Sequence, residues 1–362
     1  MTNSRRPGLR FLGTHPPFKI ILLFAILSCI LLSACQSAPV STPTPIETAV
    51  IPSTSTSTVI PTLTPTVTPT PEPVWYQTLD PSTGILKYNY AKVINPRARI
   101  YVSLQDAVAK TGNFGYPPNY PAYVAYTGTE TRDGHTYYQV SVTYGWMDGA
   151  DLQLLTPSRF TGILLTRQVP FRFGWVLADT QSVNAAGVPL KTYHRYQVIH
   201  EVPAVTDLPD HIAIGPDEWL PADRVALVST QLPAEAGPNT CRFIYTDLKV
   251  QTLSVYDDCK LVFATLISSG KNDWTFEGRF TILYKVEYST IVPPPESTSD
   301  YYIQEVPYFM TYADNFGFHG AYWHDDFGAA TSHGCINLSP SDAKWLYAWA
   351  RLGDVVLISP GQ

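Results

Sequence analysis

Short apolar runs separated by turn-forming residues cover most of the chain after about residue 75. Typical runs are 98–102, 123–127 and 137–142, and the intervals between such runs contain Gly, Pro, Asn and Asp. Tyr is abundant, at 23 residues, and aromatic and β-branched residues favour strands over helices. Many short strands with turn residues between them are typical of small barrels and sandwiches. The pattern therefore predicts a mainly β protein.

One segment near the C-terminus has a helical pattern instead. Its start carries an N-cap residue, a first-turn proline and an acid at the third position, namely Ser339, Pro340 and Asp342. The predicted helix covers 343–351 and ends at Gly353, and 354–358 returns as a strand. Three apolar residues within one turn of each other are expected to pack on the sheet: Trp345, Leu346 and Trp349.

The N-terminus has the pattern of an export signal. Four cationic residues within the first 19 precede an apolar run over 20–32, which is too short to span a bilayer, since spanning needs about 20 residues. The sequence Leu-Ser-Ala-Cys that ends at Cys35 resembles the lipobox of bacterial lipoproteins. This predicts a lipoprotein signal peptide over 1–35 and acylation of Cys35. A plain signal peptide or an uncleaved anchor is the alternative.

Residues 36–74 are almost entirely Ser, Thr, Pro, Val, Ile and Ala, with repeated Thr-Pro pairs. Such a segment stays extended and builds no core, and at about 3.1 Å per residue it reaches roughly 120 Å at most. The prediction is a tether that lets a membrane-anchored domain work at a distance. A passive stalk has the same geometry.

Two passages in the middle of the chain look alike. Each has Tyr-Gln-Val, at 138–140 and 196–198, and each then reaches a tryptophan, Trp146 or Trp219. Both resemble degenerate SH3-like barrels, which predicts small β domains over 75–159 and 160–232. Their role is either wall binding or that of a spacer with tryptophan in its core, and the spacer is favoured because a strand tryptophan is more often core than ligand platform.

Charge and cysteine content narrow the function classes. The net charge is −6 and no Lys/Arg run extends beyond Arg5-Arg6, which argues against nucleic-acid binding. A predicted hairpin with its turn near Lys249 places Cys241 almost opposite Cys259. Because the chain is predicted to be exported, a structural disulfide is expected there. Two unrelated buried thiols are the alternative.

Further strands are predicted over 261–266, 274–284 and 301–311, the last as an edge or bulged strand because it contains Pro307.

The candidate chemistry is concentrated between residues 317 and 337. Three of the eight histidines lie within fifteen residues there, beside one of five cysteines: His319, His324, His333 and Cys335. A thiol near two imidazoles, preceded by Gly334, indicates an activated thiolate nucleophile. A zinc site is the rival, with Asp325 and Asp326 as further ligands. The spacing matches no compact zinc pattern, so no metal is predicted.

This segment resembles the catalytic domain of the YkuD family of L,D-transpeptidases. The signature there is a histidine followed by Ser/Thr-His-Gly-Cys-apolar-Asn, which matches His319 and 332–337. Further similarities are Ser-Ser-Gly at 268–270 and Gly-Arg-Phe at 278–280, whereas Phe276 stands where the family commonly has proline. The resemblance spans about residues 240–360. It implies a β-sandwich or barrel with one capped helix over 239–362.

The resemblance also implies roles for the residues of the motif. Cys335 is the expected nucleophile, His319 the proton donor and acceptor, and Gly334 the residue whose backbone forms an oxyanion hole. His333 is expected to bind substrate or support the site. Substrate binding or support of the loop is expected from Ser332, Asn337, Gly320 and His324. No cofactor is implied.

The implied reaction is that of a peptidoglycan L,D-transpeptidase. Cysteine would take the acyl group of a stem tetrapeptide, release D-alanine and pass the acyl group to an amine. Alternatives are an L,D-carboxypeptidase, with water as acceptor, and a non-catalytic wall-binding lipoprotein. The expected partners are stem peptides and, through the lipid anchor, the bacterial membrane, with the protein facing the cell wall outside the cytoplasm.

Overall fold

A computed structural model describes residues 74–82, 86–140, 145–204, 208–293 and 300–361. They belong to one compact unit, Thr70–Gln362. The predicted signal peptide, the acylated Cys35 and nearly all of the tether lie outside the described residues. Within the described ranges, no helix is long and apolar enough to cross a membrane.

The described residues up to 155 form eight strands and a short helix. In chain order these are β1 (Tyr76–Thr78), β2 (Asn89–Val93), β3 (Ile100–Tyr101), α1 (Leu104–Ala109), β4 (Phe114–Gly115), β5 (Ala122–Arg132), β6 (His135–Val140), β7 (Gly145–Asp148) and β8 (Leu152–Leu154). Strands β2 to β8 belong to one sheet, in which β5 pairs with both β2 and β6. Its buried side chains form a small core, which includes Val124, Val140 and Met147.

The next part contributes β9 (Ile163–Leu165), β10 (Phe173–Val176), β11 (Thr180–Val183), β12 (Pro189–Tyr193), β13 (Val198–His200), β14 (His211–Gly215), β15 (Glu218–Pro221) and β16 (Val225–Val228). They form a three-stranded sheet, β13-β10-β16, and a four-stranded sheet, β12-β11-β15-β14, while β9 joins neither. Of the two tryptophans noted above, Trp219 is buried and Trp146 is half-buried against Tyr101 and Tyr137.

The C-terminal part contains β17 (Phe243–Asp247), β18 (Thr252–Asp257), β19 (Lys260–Leu266), β20 (Gly278–Thr281), β21 (Tyr284–Ile291), β22 (Tyr302–Ala313), β23 (Phe316–Gly320), β24 (Ile336–Leu338), α2 (Pro340–Trp349) and β25 (Val355–Ser359). Strands β19-β18-β17-β25-β20 form one sheet and β21-β22-β23-β24 another. Side chains of both sheets and of α2 share one core, which includes Val255, Phe263, Met310, Phe318 and Leu346. The mainly β prediction and the C-terminal helix are confirmed.

Strands from the upstream parts extend both sheets of this sandwich. β9 pairs with β19, with Ile163 opposite Ala264, and β1 pairs with β9. In the other sheet β5 runs parallel to the start of β22, with Ala122 opposite Tyr302. The C-terminal part therefore shares its sheets with strands that lie about a hundred residues or more earlier. The domain boundaries drawn from the sequence stay a prediction.

One strand prediction is wrong in detail, and another is confirmed in one of its two alternatives. The single strand expected over 274–284 is two strands in different sheets, because the chain crosses between the sheets at Ile282 and Leu283. The Ile282 N–H donates to Asp354 in one sheet, and the Leu283 N–H donates to Thr311 in the other. β22 is not an edge strand, since β21 and β23 flank it, but it is bulged, with positive φ at Glu305 and Tyr308 around Pro307.

Helix α2 begins as the sequence predicts and ends earlier. The Ser339 hydroxyl accepts a hydrogen bond from the Asp342 N–H at 3.2 Å, and Pro340 occupies the first position. The last helical residue is Trp349 rather than 351. Lys285 caps this end, because its ammonium donates to the carbonyl oxygens of Tyr347 and Ala350.

The Asp342 carboxyl joins α2 to two other segments. It is fully buried and accepts hydrogen bonds from the Gly162 N–H at 2.8 Å and the Thr265 hydroxyl at 2.6 Å. Burial raises the pKa of this carboxyl from 3.8 to about 7, against the opposing effect of its donors. Asp342 therefore holds α2 against the sheet in a form that is protonated in mildly acidic solution.

This gives a pH-dependent prediction. The unfolded carboxyl ionises near pH 4 and the folded one near 7, so the stabilisation is complete below pH 4 and is lost as pH rises to about 7. Asp342→Asn resembles the protonated form and does not titrate. Between pH 4.5 and 7.5, wild type should lose up to about 3 kcal/mol of unfolding free energy more than Asp342→Asn. Urea unfolding at both values of pH measures this. Parallel changes in the two proteins would show that the buried carboxyl is ionised throughout.

Candidate active site

The pairing of β23 with β24 places the candidate nucleophile and base on one face of a sheet. The two strands are parallel, with Phe318 opposite Ile336 and His319 opposite Asn337. Phe318 and Ile336 point into the core of the sandwich. Because side chains alternate along a strand, His319 and Cys335 point to the other face. There Cys335 packs on a cluster that includes Phe309, and the ring of His319 stacks on Phe309 at 5.3 Å.

The loop before Cys335 is closed on itself by Ser332. The Ser332 hydroxyl donates to the Cys335 carbonyl at 2.5 Å and accepts from the Gly334 N–H at 3.0 Å. These two bonds bend the chain into a tight turn immediately before the cysteine. Ser332 therefore determines the direction in which Cys335 leaves the loop.

A second segment ties this loop to the opposite sheet. Ser268 exchanges two backbone hydrogen bonds with Asn337, both of 2.9 Å, and Ser332 bonds to the backbone of Ser269 and Lys271. The Thr275 hydroxyl accepts from the Gly270 N–H and donates to the Gly334 carbonyl, both at 2.8 Å. The residues on both sides of Cys335 are thus fixed by main-chain bonds to 268–275.

Gly334 occupies a position that only glycine fits. Its φ is +123°, and a Cβ there would lie 2.3 Å from the ring of Phe316 and 3.0 Å from the Trp274 carbonyl oxygen. Both the backbone conformation and the lack of space exclude a larger residue. The glycine of the motif therefore allows the loop to pass between Phe316 and Trp274.

His319 is a buried, neutral imidazole. Its side chain is 2% exposed, and Nδ1 has no hydrogen-bond partner among the residues that the structure describes. Burial lowers its pKa from 6.5 to about 3, while the Gly320 carbonyl acts in the opposite direction. Trp323 packs beside the ring at 5.7 Å. The free base is therefore present at every ordinary pH.

Cys335 is half-buried, and its thiol is neutral as well. Burial raises its pKa from 9.0 to about 11, and the Gly317 N–H lowers it by less. Sγ lies 3.8 Å from the Asn315 carbonyl oxygen, to which the S–H donates. In the described chain no hydrogen bond joins this thiol to His319. The thiol is neutral in the free protein because desolvation of the charge outweighs its one backbone donor. The activated thiolate that the sequence indicates stays a prediction for the reacting state.

His333 lies at the rim rather than in the interior. It is exposed, and its ring lies between Trp274 at 5.6 Å and Tyr301 at 4.9 Å. Burial of the ring and the charge of Lys271 lower its pKa below the usual value. The ring is therefore held neutral beside Cys335, where a bound molecule can touch it.

His324 supports the site from beneath. Its Nδ1 accepts from the Asp326 N–H at 3.1 Å, and its Nε2 lies 2.9 Å from the side-chain amide of Asn337. Burial lowers the pKa of His324, although the nearby Asp326 and Asp325 raise it. His324 thus braces Asn337, the residue opposite His319.

The loop that carries His324 is held by residues from far upstream. Asp325 accepts hydrogen bonds from the Ser158 hydroxyl on its carboxylate and from Arg195 and Tyr196 on its carbonyl oxygen. Sequence reasoning considered Asp325 only as a metal ligand. Among the described residues, no group of three or more His, Cys, Asp and Glu is arranged to hold a metal ion.

Several positions of the site have no local signal in the sequence. Thr275 and Gln251 are examples. The Gln251 side-chain amide donates to the Ser269 hydroxyl and accepts from the Ser269 N–H. Each acts on a residue more than fifteen positions away. Cys241 and Cys259, in contrast, form a disulfide at the base of the β17–β18 hairpin.

The geometry at Gly334 leads to a prediction with a matched control. Gly334→Ala should lower the unfolding temperature and abolish the reactivity of Cys335, because its Cβ meets Phe316 and Trp274. Gly187→Ala shares the positive φ, +77° there, but has no atom within 4 Å. It should cost only about 1 kcal/mol of stability and leave thiol reactivity unchanged. Calorimetry and thiol labelling measure both. Equal losses in the two variants would mean that backbone strain alone accounts for the glycine.

Comparisons with known proteins place this site in a family. Residues 242–358 match the model of the YkuD L,D-transpeptidase catalytic domain. The C442S mutant of an Enterococcus faecium L,D-transpeptidase is 30% identical, over 33% of this chain and 49% of that one, with a TM-score of 0.30. The chain thus spans about half the length of that protein. A comparison with curated proteins found no match.

Two other solved structures cover more of their own chains. The catalytic domain of the E. faecium L,D-transpeptidase is 31% identical over 33% of this chain and 96% of that one, with a TM-score of 0.30. An L,D-transpeptidase from Mycobacterium smegmatis is 20% identical over 57% of this chain and 91% of that one, with a TM-score of 0.31. From the family match, residues 242–358 are a YkuD-type L,D-transpeptidase catalytic domain.

Proposed function

We propose that the chain is a peptidoglycan L,D-transpeptidase that uses Cys335 as its nucleophile and His319 as its base. The observation that carries the proposal is the placement of both side chains on one face of the β23–β24 pair, inside a YkuD catalytic domain. The loop that presents Cys335 is fixed by Ser332, Thr275 and Ser268. A rigidly held thiol beside a neutral imidazole suits acyl transfer.

In the first step Sγ of Cys335 attacks the carbonyl carbon that follows the L-centre of the diamino acid in a stem tetrapeptide. The thiol proton moves to His319 as the S–C bond forms, because neither charged form is stable in the buried site. The C–N bond then breaks, and the D-alanine nitrogen takes the proton from His319. A thioester on Cys335 remains.

The oxyanion of this step needs backbone donors. The Gly334 N–H donates to the Ser332 hydroxyl, which leaves the N–H that follows the turn at Gly334 for this role. We assign the role to the N–H of Cys335 itself, and to Gly334 the turn that orients it. His333, held between Trp274 and Tyr301, contacts the bound peptide.

In the second step an amine of another stem peptide attacks the thioester. His319 takes the proton of that amine, the C–N bond forms and the S–C bond breaks, and His319 returns the proton to the sulfur. Water in place of the amine gives an L,D-carboxypeptidase, which is the second candidate. The third candidate is a non-catalytic wall-binding lipoprotein, which would bind the stem peptide at the same site without turning it over.

The location follows from the family and from the sequence. The family acts on the cell wall, outside the cytoplasm, and the Cys241–Cys259 disulfide suits such an oxidising place. We propose that acylated Cys35 anchors the chain in the membrane and that residues 36–74 let the enzyme reach the wall. We also propose that residues 75–159 and 160–232 are small SH3-like β domains.

Mass spectrometry of the full chain with a disaccharide tetrapeptide tests the assignment. Wild type should gain the mass of the acyl group on the peptide that contains Cys335 and release D-alanine, whereas Cys335→Ala should gain none. His319→Ala should slow acylation by a factor of about 10² to 10⁴. His200→Ala, a histidine outside the site, should leave the rate unchanged. Equal acylation of wild type and Cys335→Ala would sink the proposal. A cross-linked dimer as product indicates a transpeptidase, whereas a free tripeptide indicates a carboxypeptidase.

The neutral thiol makes a separate prediction about pH. Because the pKa of Cys335 is raised to about 11, only a minor fraction is thiolate at neutral pH. Alkylation by iodoacetamide, a neutral reagent, should therefore rise about tenfold per pH unit from pH 6 to 10 without reaching a plateau. Peptide mapping isolates the signal of Cys335. A plateau below pH 8 would instead indicate a thiolate–imidazolium pair in the free protein.

A further inference from the structure

Exposed aromatic rings are concentrated in one short segment upstream of the catalytic domain. Residues 111–121, Thr-Gly-Asn-Phe-Gly-Tyr-Pro-Pro-Asn-Tyr-Pro, contain no charged residue. Phe114, Tyr116 and Tyr120 are 40%, 54% and 39% exposed, and we call these three residues the aromatic strip. Large apolar side chains that gather on a surface mark a binding site more often than single ones do.

The strip is held in place without a ligand. The guanidinium of Arg99 lies over the ring of Phe114, 4.2 Å from its centre, and Phe114 meets Tyr116 edge to face at 5.7 Å. Pro117, Pro118 and Pro121 restrict the backbone between and after the rings. A surface that is already ordered loses little entropy when it binds.

The strip leads directly to the catalytic groove. The Asn119 side-chain amide donates to the Tyr301 carbonyl at 3.2 Å, and the Tyr302 N–H donates to the Pro121 carbonyl at 3.0 Å. The ring of Tyr301 lies 4.9 Å from that of His333, two residues before Cys335. The end of the strip and the rim of the groove are thus joined through one residue.

Resting on the proposed function, we propose that the aromatic strip binds the glycan strand of peptidoglycan while the stem peptide attached to that strand enters the groove at Cys335. The C–H faces of pyranose rings pack on aromatic rings, whose hydroxyls and neighbouring amides bind sugar hydroxyl and acetamido groups. Apart from the Arg99 guanidinium, which is engaged on the ring of Phe114, the segment that carries the strip contains no charged residue. The substrate itself supplies a sugar chain next to the reacting peptide, so one molecule covers both surfaces.

Steady-state kinetics with the full chain test this on two substrates. One is the free tetrapeptide, and the other is a glycan strand that carries uncross-linked tetrapeptides. In Tyr116→Ala/Tyr120→Ala the KM for the strand should rise about tenfold, with kcat unchanged and with wild-type values for the free peptide. Tyr284→Ala, which removes a tyrosine that is 58% exposed outside the strip, should match wild type on both substrates.

Other outcomes overturn the inference and leave the proposed chemistry standing. Wild-type kinetics of the double variant on both substrates would mean that no glycan lies on the strip. An equal loss on both would mean that the strip only supports the fold. If wild type turned over neither substrate, co-sedimentation with glycan strands stripped of their peptides would test binding directly. The inference then requires that the double variant no longer binds these strands and that Tyr284→Ala still does.

Discussion

The parallel pairing of β23 with β24 is the constraint on which the candidate site depends. It places a histidine on β23 next to a cysteine that immediately precedes β24, sixteen residues later, and turns both side chains to one face. Such a pair lies at the end of a sheet and needs support on its free side. The backbone bridge from Ser268 to Asn337 supplies it, and α2, which begins two residues after β24, covers it from the core side. The positions of Cys335 and His319 are therefore consequences of sheet register, not of a mobile loop.

The same burial that orders this pair keeps it uncharged. The pKa of the thiol is raised to about 11 and that of the imidazole is lowered to about 3, so the free protein holds a thiol and a neutral base. Proton transfer must then accompany attack on the substrate. A neutral thiol also resists oxidation, since the thiolate is the reactive form.

The features that could be predicted from the sequence are those encoded within a few residues. The Ser339 cap, the hairpin that joins Cys241 to Cys259 and the Ser-His-Gly-Cys motif all depend on neighbours in the chain. Other contacts join residues that are far apart in the chain. Thr275 bonds to Gly334, 59 positions away, and Arg195 donates to Asp325, 130 positions away. The pairing of β5 with β22 spans about 180 positions. No local pattern encodes them. The burial of Cys335 and His319 has no local signal for a related reason, because a motif records which groups are present but not how deeply they are buried.

The long-range contacts change how the upstream strands must be understood. A spacer would touch the catalytic domain at one boundary, whereas here Tyr90 stacks on Tyr322 at 3.6 Å and Tyr123 lies 6.1 Å from Trp323, whose ring in turn packs beside His319. In the described residues the parallel pairing of β5 with β22 covers Tyr302 and Ile303. The aromatic contacts therefore add to the contact between the upstream strands and the catalytic domain. Both segments that border the groove, near Tyr301 and near Asp325, are thus held by residues outside the family domain. It follows that the surroundings of Cys335 and His319 are ordered jointly by residues 242–358 and by strands that precede them in the chain.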